Sequence, residues 1–562
     1  MIEVEIRKIA LANAAKYGGK TNVKSVLSKL IFQHPELKGK IKEIIPIVEK
    51  IVKEVNEMGL EKQLEEIKKL GIEIEKKKEE KKELEELPNA EVGKVVTRYP
   101  PAMTGYPHFG HVYNCLINYF YSQKYKGKFV VRYEDTDPKL AKEEYYKEFD
   151  FFLEFLNVKY EKKTIISRDY MKDLYKYGKK LIEIGKAYVC LKPKEEIKRA
   201  RELGIELEDR NRAPEDNLEL FDKMLEGYFE EGKAVVLFKG DVRSQNTRLR
   251  DPAMFRIVKH PHPIVGDKYV VWPTYDFSNA VCDALDGVTH IIRSAEFAFA
   301  AELHNLIRKY LGFEEITTIE TSRVGIKNNI TSKRKIRKLI QEGKVMGWDD
   351  PRLVTLRGLI RRGIQKETLY EIVKELGLTT AQPVVDFSKI AAINRKILDK
   401  RTKRMFCVPE WIILEVQNIG PGAARVRNHP NVDLGYREIE FEREFYVPKE
   451  AESLKEFRLM HLFNVKIIRK ENGRLIGEKT GEEIRKDLKK FQWVPKGFES
   501  WIELWMIGDL LKNGEFNENS LIRVNCPAER NIKDIKIGEI VQFERVGFCR
   551  KDSEKVFILG HR

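Results

Sequence analysis

At 562 residues the chain is too long for one hydrophobic core, and about three to five domains are expected. Its 42% hydrophobic content is enough for several cores, while 104 basic against 88 acidic side chains leave +16, which favours a polyanionic partner such as nucleic acid. A Lys/Glu-rich surface of the thermophile kind has a similar composition; the net excess of Lys and Arg tilts the reading toward RNA or DNA. No stretch approaches the roughly 18 apolar residues of a membrane span. The opening MIEVEIRKIALANAAKYGG has no basic-then-apolar leader pattern. Six scattered cysteines (115, 190, 282, 407, 526, 549) form no CxxC pair, so neither a disulfide framework nor structural zinc is expected. The expectation is an intracellular, soluble protein, cytoplasmic and without a membrane partner.

Residues 1 to about 88 lack strand-like runs. IKEIIPIVEKIVKEVNEM repeats apolar residues three and four apart, as an amphipathic helix does. GIEIEKKKEEKKELEELP is mostly a mixed-sign charge run, expected as a solvated helix or linker, and Pro88 and Asn89 punctuate a boundary. KVVTRY then reads as a buried strand, followed by a Pro/Gly loop, a helix through Lys124 and a second strand in FVVRYE. Strand, loop, helix, strand is a βαβ unit and implies a parallel sheet. Ligands bind such sheets beyond the carboxyl ends of the strands, where the loop before His108 lies and where Glu134 and Asp135 emerge. Residues 170 to 245 look helical with one short strand, AVVLFKG. They separate the first unit from YVVWPTYDF and GVTHIIRSAEF, read as later strands of the same sheet, so an insertion of about 170–250 splits it. From about 335 to 380 the chain is helical and basic. From about 400 short strands such as REIEFEREFYV, LFNVKIIRK and EIVQFERVGF suggest one or two β-barrels.

Within this frame GYPHFGH (105–111) sets His108 and His111 three apart after a turn, on one face of a helix start. First-turn backbone N–H groups are free there, and with two imidazoles they suit a phosphate. An ordinary helix start with two polar contacts reads the same way, and the heptapeptide leaves both open. Two distant segments join it: Ile330-Thr331-Ser332-Lys333-Arg334, and the long string GWDDPRLVTLRGLIRRG (347–363).

HFGH resembles the HIGH motif and ITSKR the KMSKS motif of class I aminoacyl-tRNA synthetases. TRYPPAMTGYPHFGH, RYEDTDP, WPTYDFSNAV, DGVTHIIR, GWDDPR and FQWVPKG resemble segments of the glutamyl/glutaminyl subgroup in the subgroup's order. AAKYGGKTNVKSVLSKLIFQHPELKGKIKEIIPIV is similar to the helical extension of archaeal-type glutamyl members, so the resemblance spans essentially the whole chain.

The resemblance implies a multidomain α/β plus β protein. It has an N-terminal helical extension (1–88) and a Rossmann-like parallel-sheet catalytic domain (89–325) whose insertion binds the tRNA acceptor end. A helical connector with the KMSKS loop (326–395) and a β-barrel anticodon-binding region (396–562) follow. It implies L-glutamate, ATP with Mg²⁺ and tRNA(Glu) as substrates; tRNA(Gln) as a second acceptor stays open. It assigns catalysis to His108, His111 and Lys333, and ATP contact to these with Gly110 and Ser332. Amino-acid contact goes to Arg98, Glu134, Tyr275, Asn279 and Arg293, with Glu134 on the α-ammonium. Trp348, Asp349, Asp350 and Arg352 are assigned to tRNA.

These residue types suit the chemistry. The attacking carboxylate is already ionised, so positioning and charge stabilisation on phosphate oxygens carry the activation step. Arg293 separates the two amino acids, because a guanidinium pairs bidentately with a carboxylate and matches an amide badly. The alternative for Arg293 is a packing role or a pair with Glu296. The chain departs from the family at Ala102 and Met103, where a polar residue and Pro are usual, and at Thr331, where the KMSKS motif has an apolar residue. Cys190 stands alone where some relatives have Cys-x-Cys, consistent with no zinc.

Overall fold

The structure, a computed structural model, describes residues 2–16, 19–70 and 83–562. These fall into two units divided after Lys82. The first contains helices Ile2–Lys16, Val23–Gln33, Ile41–Glu57 and Leu60–Lys69 around Ile6, Ala10, Val26, Leu30, Val48 and Val55. Arg7 ties three of the helices, donating to Glu54 at 2.8 Å and to Glu66 at 2.7 Å. Most of the expected charged helix or linker (71–82) lies outside the described residues. The expected boundary at residue 88 moves toward the N-terminus, because Leu87 is buried in the larger unit's core and Leu84 packs against it.

The larger unit begins with strand β1 (Val96–Tyr99), helix α1 (Phe109–Lys124), strand β2 (Lys128–Tyr133) and strand β3 (Lys162–Ile165). The sheet continues after the insertion with helix α2 (Tyr275–Leu285), strand β4 (His290–Ser294), helix α3 (Ala298–Leu311) and strand β5 (Thr317–Thr321). β1, β2 and β3 pair in parallel, as do β4 and β5. Thr289 N–H donates to Val96 O at 3.0 Å and Val96 N–H to Thr289 Oγ1 at 2.8 Å, so the halves meet in the order β5-β4-β1-β2-β3. β1, β2 and β4 are buried at successive positions rather than alternate ones, as parallel strands covered on both faces are. Strand order reverses at β1, and the crevice above the β1 and β4 carboxyl ends is where such a sheet takes a ligand.

The insertion holds helix Met171–Glu183 and a four-stranded antiparallel sheet of Ala187–Cys190, Val235–Phe238, Ala253–Ile257 and Val271–Pro273. Val271–Pro273 therefore corrects the expectation that YVVWPTYDF belongs to the parallel sheet, and the insertion runs past 250 to about 273. A short buried apolar run carries no record of which sheet it joins; here Phe255 faces Pro273 and Ile257 faces Val271.

Beyond β5 come helices α4 (Lys333–Gln341), α5 (Leu356–Arg361), α6 (Lys366–Leu376) and α7 (Phe387–Leu398). Two sheets of seven and six strands follow. The chain enters the six-stranded sheet at Arg404–Met405, builds the seven-stranded sheet between Trp411 and Pro495, and returns to complete the first. Among the described residues no helix is long and apolar enough to cross a membrane.

Candidate active site

His108 is the N-cap of α1, and its Nδ1 accepts the Gly110 N–H at 3.1 Å. His111 folds back, and its Nδ1 accepts the His108 N–H at 3.3 Å. The rings meet edge-on, 4.2 Å between centroids. Phe109 N–H donates to Val354 O at 2.9 Å, and His111 N–H to His108 O at 2.8 Å. The first-turn N–H groups expected to be free are therefore occupied. What the helix start offers instead follows from the tautomer: with both Nδ1 atoms accepting, each neutral ring carries its proton on Nε2. Burial pushes His108 down to about 3 and His111 well below the ordinary histidine value, and the charge on Lys333 adds to both. Gly110 is required by close approach, since a Cβ there would sit 2.9 Å from His108 Cε1.

Lys333 opens α4 directly after its N-cap, Ser332. Its Nζ donates to Thr104 Oγ1 at 3.3 Å, and its stem crosses Gly105, where a Cβ would meet Lys333 Cδ at 2.9 Å. Burial, with Arg337 nearby, lowers Lys333 to about 8. The lysine motif and the histidine turn thus share one loop.

The second cluster lies at the strand ends. Arg98 comes from β1, Glu134 follows β2, Tyr275 and Asn279 come from α2, and Arg293 from β4. Asn279 Nδ2 donates to Glu134 Oε1 at 2.7 Å, and Arg132 Nη2 to the same oxygen at 3.2 Å. Burial raises Glu134 to about 6; Arg132 opposes the rise and Asp283 adds to it. Burial also raises Tyr275 to about 12, with Glu134 contributing. Arg293 is 4% exposed, and among the described residues its Nε and Nη2 have no hydrogen-bond partner. Its Nη1 faces His304 Nδ1 at 3.4 Å, and the Tyr275 hydroxyl lies close enough to interact with the guanidinium. Burial lowers its pKa, with Tyr275 opposing. Glu296, the alternative partner, pairs with Arg323 instead. Asn118 of α1 donates to Ile292 O at 3.2 Å, fastening the histidine helix to the strand that carries Arg293. Two unpaired donors on a buried cation make a receptor for an anion.

Several site residues carry no motif signal. Asp283, fully buried, accepts from Arg98 Nε at 3.2 Å, Arg132 Nη2 at 2.7 Å and Arg308 Nη2 at 3.4 Å. Burial would raise Asp283, but these three guanidinium groups hold it far below the carboxylate range. His304 and Arg308 fall on the apolar stripe of α3 with Leu303, Ile307 and Leu311. A titratable group on such a stripe must have a partner, and that was the available signal.

The GWDDPR residues divide. Trp348 is half-buried and stacks on Tyr106, centroids 5.1 Å apart and planes 7° apart. Asp349 is exposed and pairs with Arg361 at 3.0 Å. Asp350 and Arg352 are buried, 0% and 6% exposed, and pair with each other at 2.7 Å. Arg352 also donates to Lys344 O and Ser520 Oγ, so the pair braces this turn against the C-terminal strands. Among the described residues no group of three or more His, Cys, Asp or Glu side chains is placed to hold a metal ion.

Residues 94–400 match the family model described as tRNA synthetases class I (E and Q), catalytic domain. Residues 402–481 and 490–552 match two models of the anticodon-binding domain of the same class. The chain is 39% identical to the glutamate–tRNA ligase of Nitrosopumilus maritimus, covering 100% of this chain and 99% of that one. It is 40% identical to that of Korarchaeum cryptofilum, covering 99% of each. Identity to that of Pyrococcus furiosus is 40%, over 97% of this chain and 96% of the relative.

Proposed function

The chain belongs to the class I tRNA synthetases of the glutamate and glutamine subgroup, and we propose that it joins L-glutamate to the 3′-terminal adenosine of tRNA(Glu) with ATP. The glutamate α-carboxylate attacks the ATP α-phosphorus, pyrophosphate leaves, and the terminal ribose 2′-hydroxyl of the tRNA then takes the glutamyl group. Because the nucleophile is already an anion, the residues need only hold it in line and stabilise charge on phosphate oxygens. The Nε2–H groups of His108 and His111 suit those oxygens, and Lys333 suits the departing pyrophosphate as a point charge on a long stem. Mg²⁺ would arrive on the nucleotide, held largely by phosphates and water; the histidine turn is a set of donors and complements it. The strand-rich C-terminal region would read unstacked anticodon bases. The setting for such a reaction is the cytoplasm.

One observation carries the choice of amino acid: the partnerless Nε and Nη2 of buried Arg293. The glutamate side-chain carboxylate satisfies them, with Glu134 left for the α-ammonium. Glutamine would leave those buried donors without an anion, at a cost on the order of 1–3 kcal/mol. The test is charging of purified tRNA(Glu) and tRNA(Gln), side by side, with glutamate or glutamine. Glutamate charging of tRNA(Glu) is expected, and glutamate on both tRNAs would identify an enzyme that serves both acceptors. Preference for glutamine, or no pyrophosphate exchange with tRNA present, would overturn the proposal.

A further inference from the structure

Arg293 does not stand alone. Behind it, His304 is 1% exposed and is engaged at both ring nitrogens. Its Nδ1 faces Arg293 Nη1 at 3.4 Å, and its Nε2 faces Asp276 Oδ1 at 3.1 Å. A guanidinium can only donate, so Nδ1 accepts and Nε2–H donates to the carboxylate. Burial and the neighbouring Arg293 and Arg308 lower His304 to about 4, against the pull of Asp276, so the ring is neutral at assay pH. Asp276 in turn receives Arg248 Nη1 at 2.9 Å and 3.2 Å.

Arg248 belongs to the insertion and is 40% exposed at its side chain. Two residues earlier, Asn246 donates to Phe299 O and Glu302 Oε2, both at 2.9 Å, which pins this turn to the helix that carries His304. Thr247 and Arg250, on either side of Arg248, line a cavity of about 780 Å³. Seven Lys and Arg side chains line it against three carboxylates, and its apolar floor includes Ile197, Val235 and Leu237. Arg201 on its wall feels both Asp276 and Arg248.

We propose that Arg248, Asp276 and His304 are positioning residues for Arg293, a hydrogen-bonded relay through which the insertion sets the orientation of the guanidinium that selects the amino acid. The inference rests on the reading of Arg293 given above. An imidazole accepting from Nη1 leaves Nε and Nη2 as the edge presented to a ligand. Asp276 holds the ring in the accepting tautomer, and Arg248 holds Asp276. A polyanion in the cationic cavity, such as the acceptor end of the tRNA, engages Thr247, Arg250 and Arg201 beside Arg248, so occupation of the insertion is passed through Arg248 to the amino-acid pocket.

The experiment is steady-state charging by the full chain at saturating ATP and tRNA, with glutamate varied. His304→Leu is expected to raise the glutamate KM at least tenfold while kcat stays within about threefold. His304→Asn, whose Oδ1 stands near the lost Nδ1, should return KM to within about threefold of wild type. Arg248→Met should raise KM about three- to fivefold in the wild-type background and have no further effect in His304→Leu. Equal KM for the Leu variant and wild type, equal defects in the Leu and Asn variants, or independent effects of Arg248→Met and His304→Leu would overturn the relay. Should His304→Leu lose its native circular dichroism, Arg248→Met and Asp276→Asn decide: raised KM supports the relay and unchanged KM overturns it. A wild-type enzyme that charges no glutamate would sink the function itself; one that charges normally beside unaffected variants sinks only the relay.

Discussion

Glu134 changes charge just below working pH, as Lys333 does just above it. Burial raises it to about 6, so in the free enzyme it takes up a proton as pH falls through 6, where an ordinary glutamate still carries its charge. Under the proposed function, loss of that charge removes the partner of the α-ammonium. The kcat/KM for glutamate should therefore fall below about pH 6 along a single-proton limb, and Glu134→Gln should be low and flat over the same range. Neither histidine competes for this limb, because both are neutral throughout it. A limb that survives in the Gln variant would assign it elsewhere. At this scale the motif residues were legible because the family spells them in short strings. Asp283 and His304 were not. Asp283 meets Arg98 across 185 residues of sequence, and such pairings leave no local pattern. Asp350 and Arg352 show the converse: a string can be distinctive because it braces the fold, with its charges turned inward.

At the scale of elements, the start of α1 separates stability from activity. Replacing a helical glycine by alanine ordinarily stabilises by about 1 kcal/mol. At Gly110 the new Cβ would press on His108 Cε1 and displace the imidazole from its Nδ1 bond. Gly110→Ala should keep or raise the melting temperature yet lower kcat by at least tenfold, as read from paired thermal melts and charging rates. Unchanged kcat would mean that the ring orientation is immaterial. Strands β1 and β2 and helix α1 were readable because their apolar periods are long and bounded by turns. Val271–Pro273 was not, because three buried residues fit a parallel or an antiparallel sheet equally and only the partner strand decides. For the same reason the insertion's end was set too early.

At the scale of the whole larger unit, buried charge holds the six-stranded C-terminal sheet to the hairpin Gly422–Phe441. Glu529, fully buried in the six-stranded sheet, accepts from Arg437 Nε at 2.6 Å and Nη2 at 3.1 Å and from Phe406 N–H at 2.9 Å. Arg437 sits on the hairpin strand Tyr436–Phe441. Glu529→Ala would strand a buried guanidinium, a loss of about 3–5 kcal/mol. It should bring forward the first thermal transition of the full chain; an unshifted transition would show that the hairpin is held to the sheet by apolar packing alone. The order of domains was legible from changes in texture along the chain, whereas this clamp joins residues 92 apart and had no signature.

The choice of amino acid rests on one buried cation, Arg293, whose Nε and Nη2 have no hydrogen-bond partner among the described residues. The most direct measurement is the ratio of kcat/KM for glutamate to that for glutamine, in wild type and in Arg293→Ala, with the same tRNA(Glu). The wild-type ratio should exceed about 10, as a mismatch of about 1–3 kcal/mol implies, and the variant should lose most of it through a steep rise in the glutamate KM. A ratio that is the same in both enzymes would contradict the assignment of Arg293 as the group that reads the side-chain carboxylate.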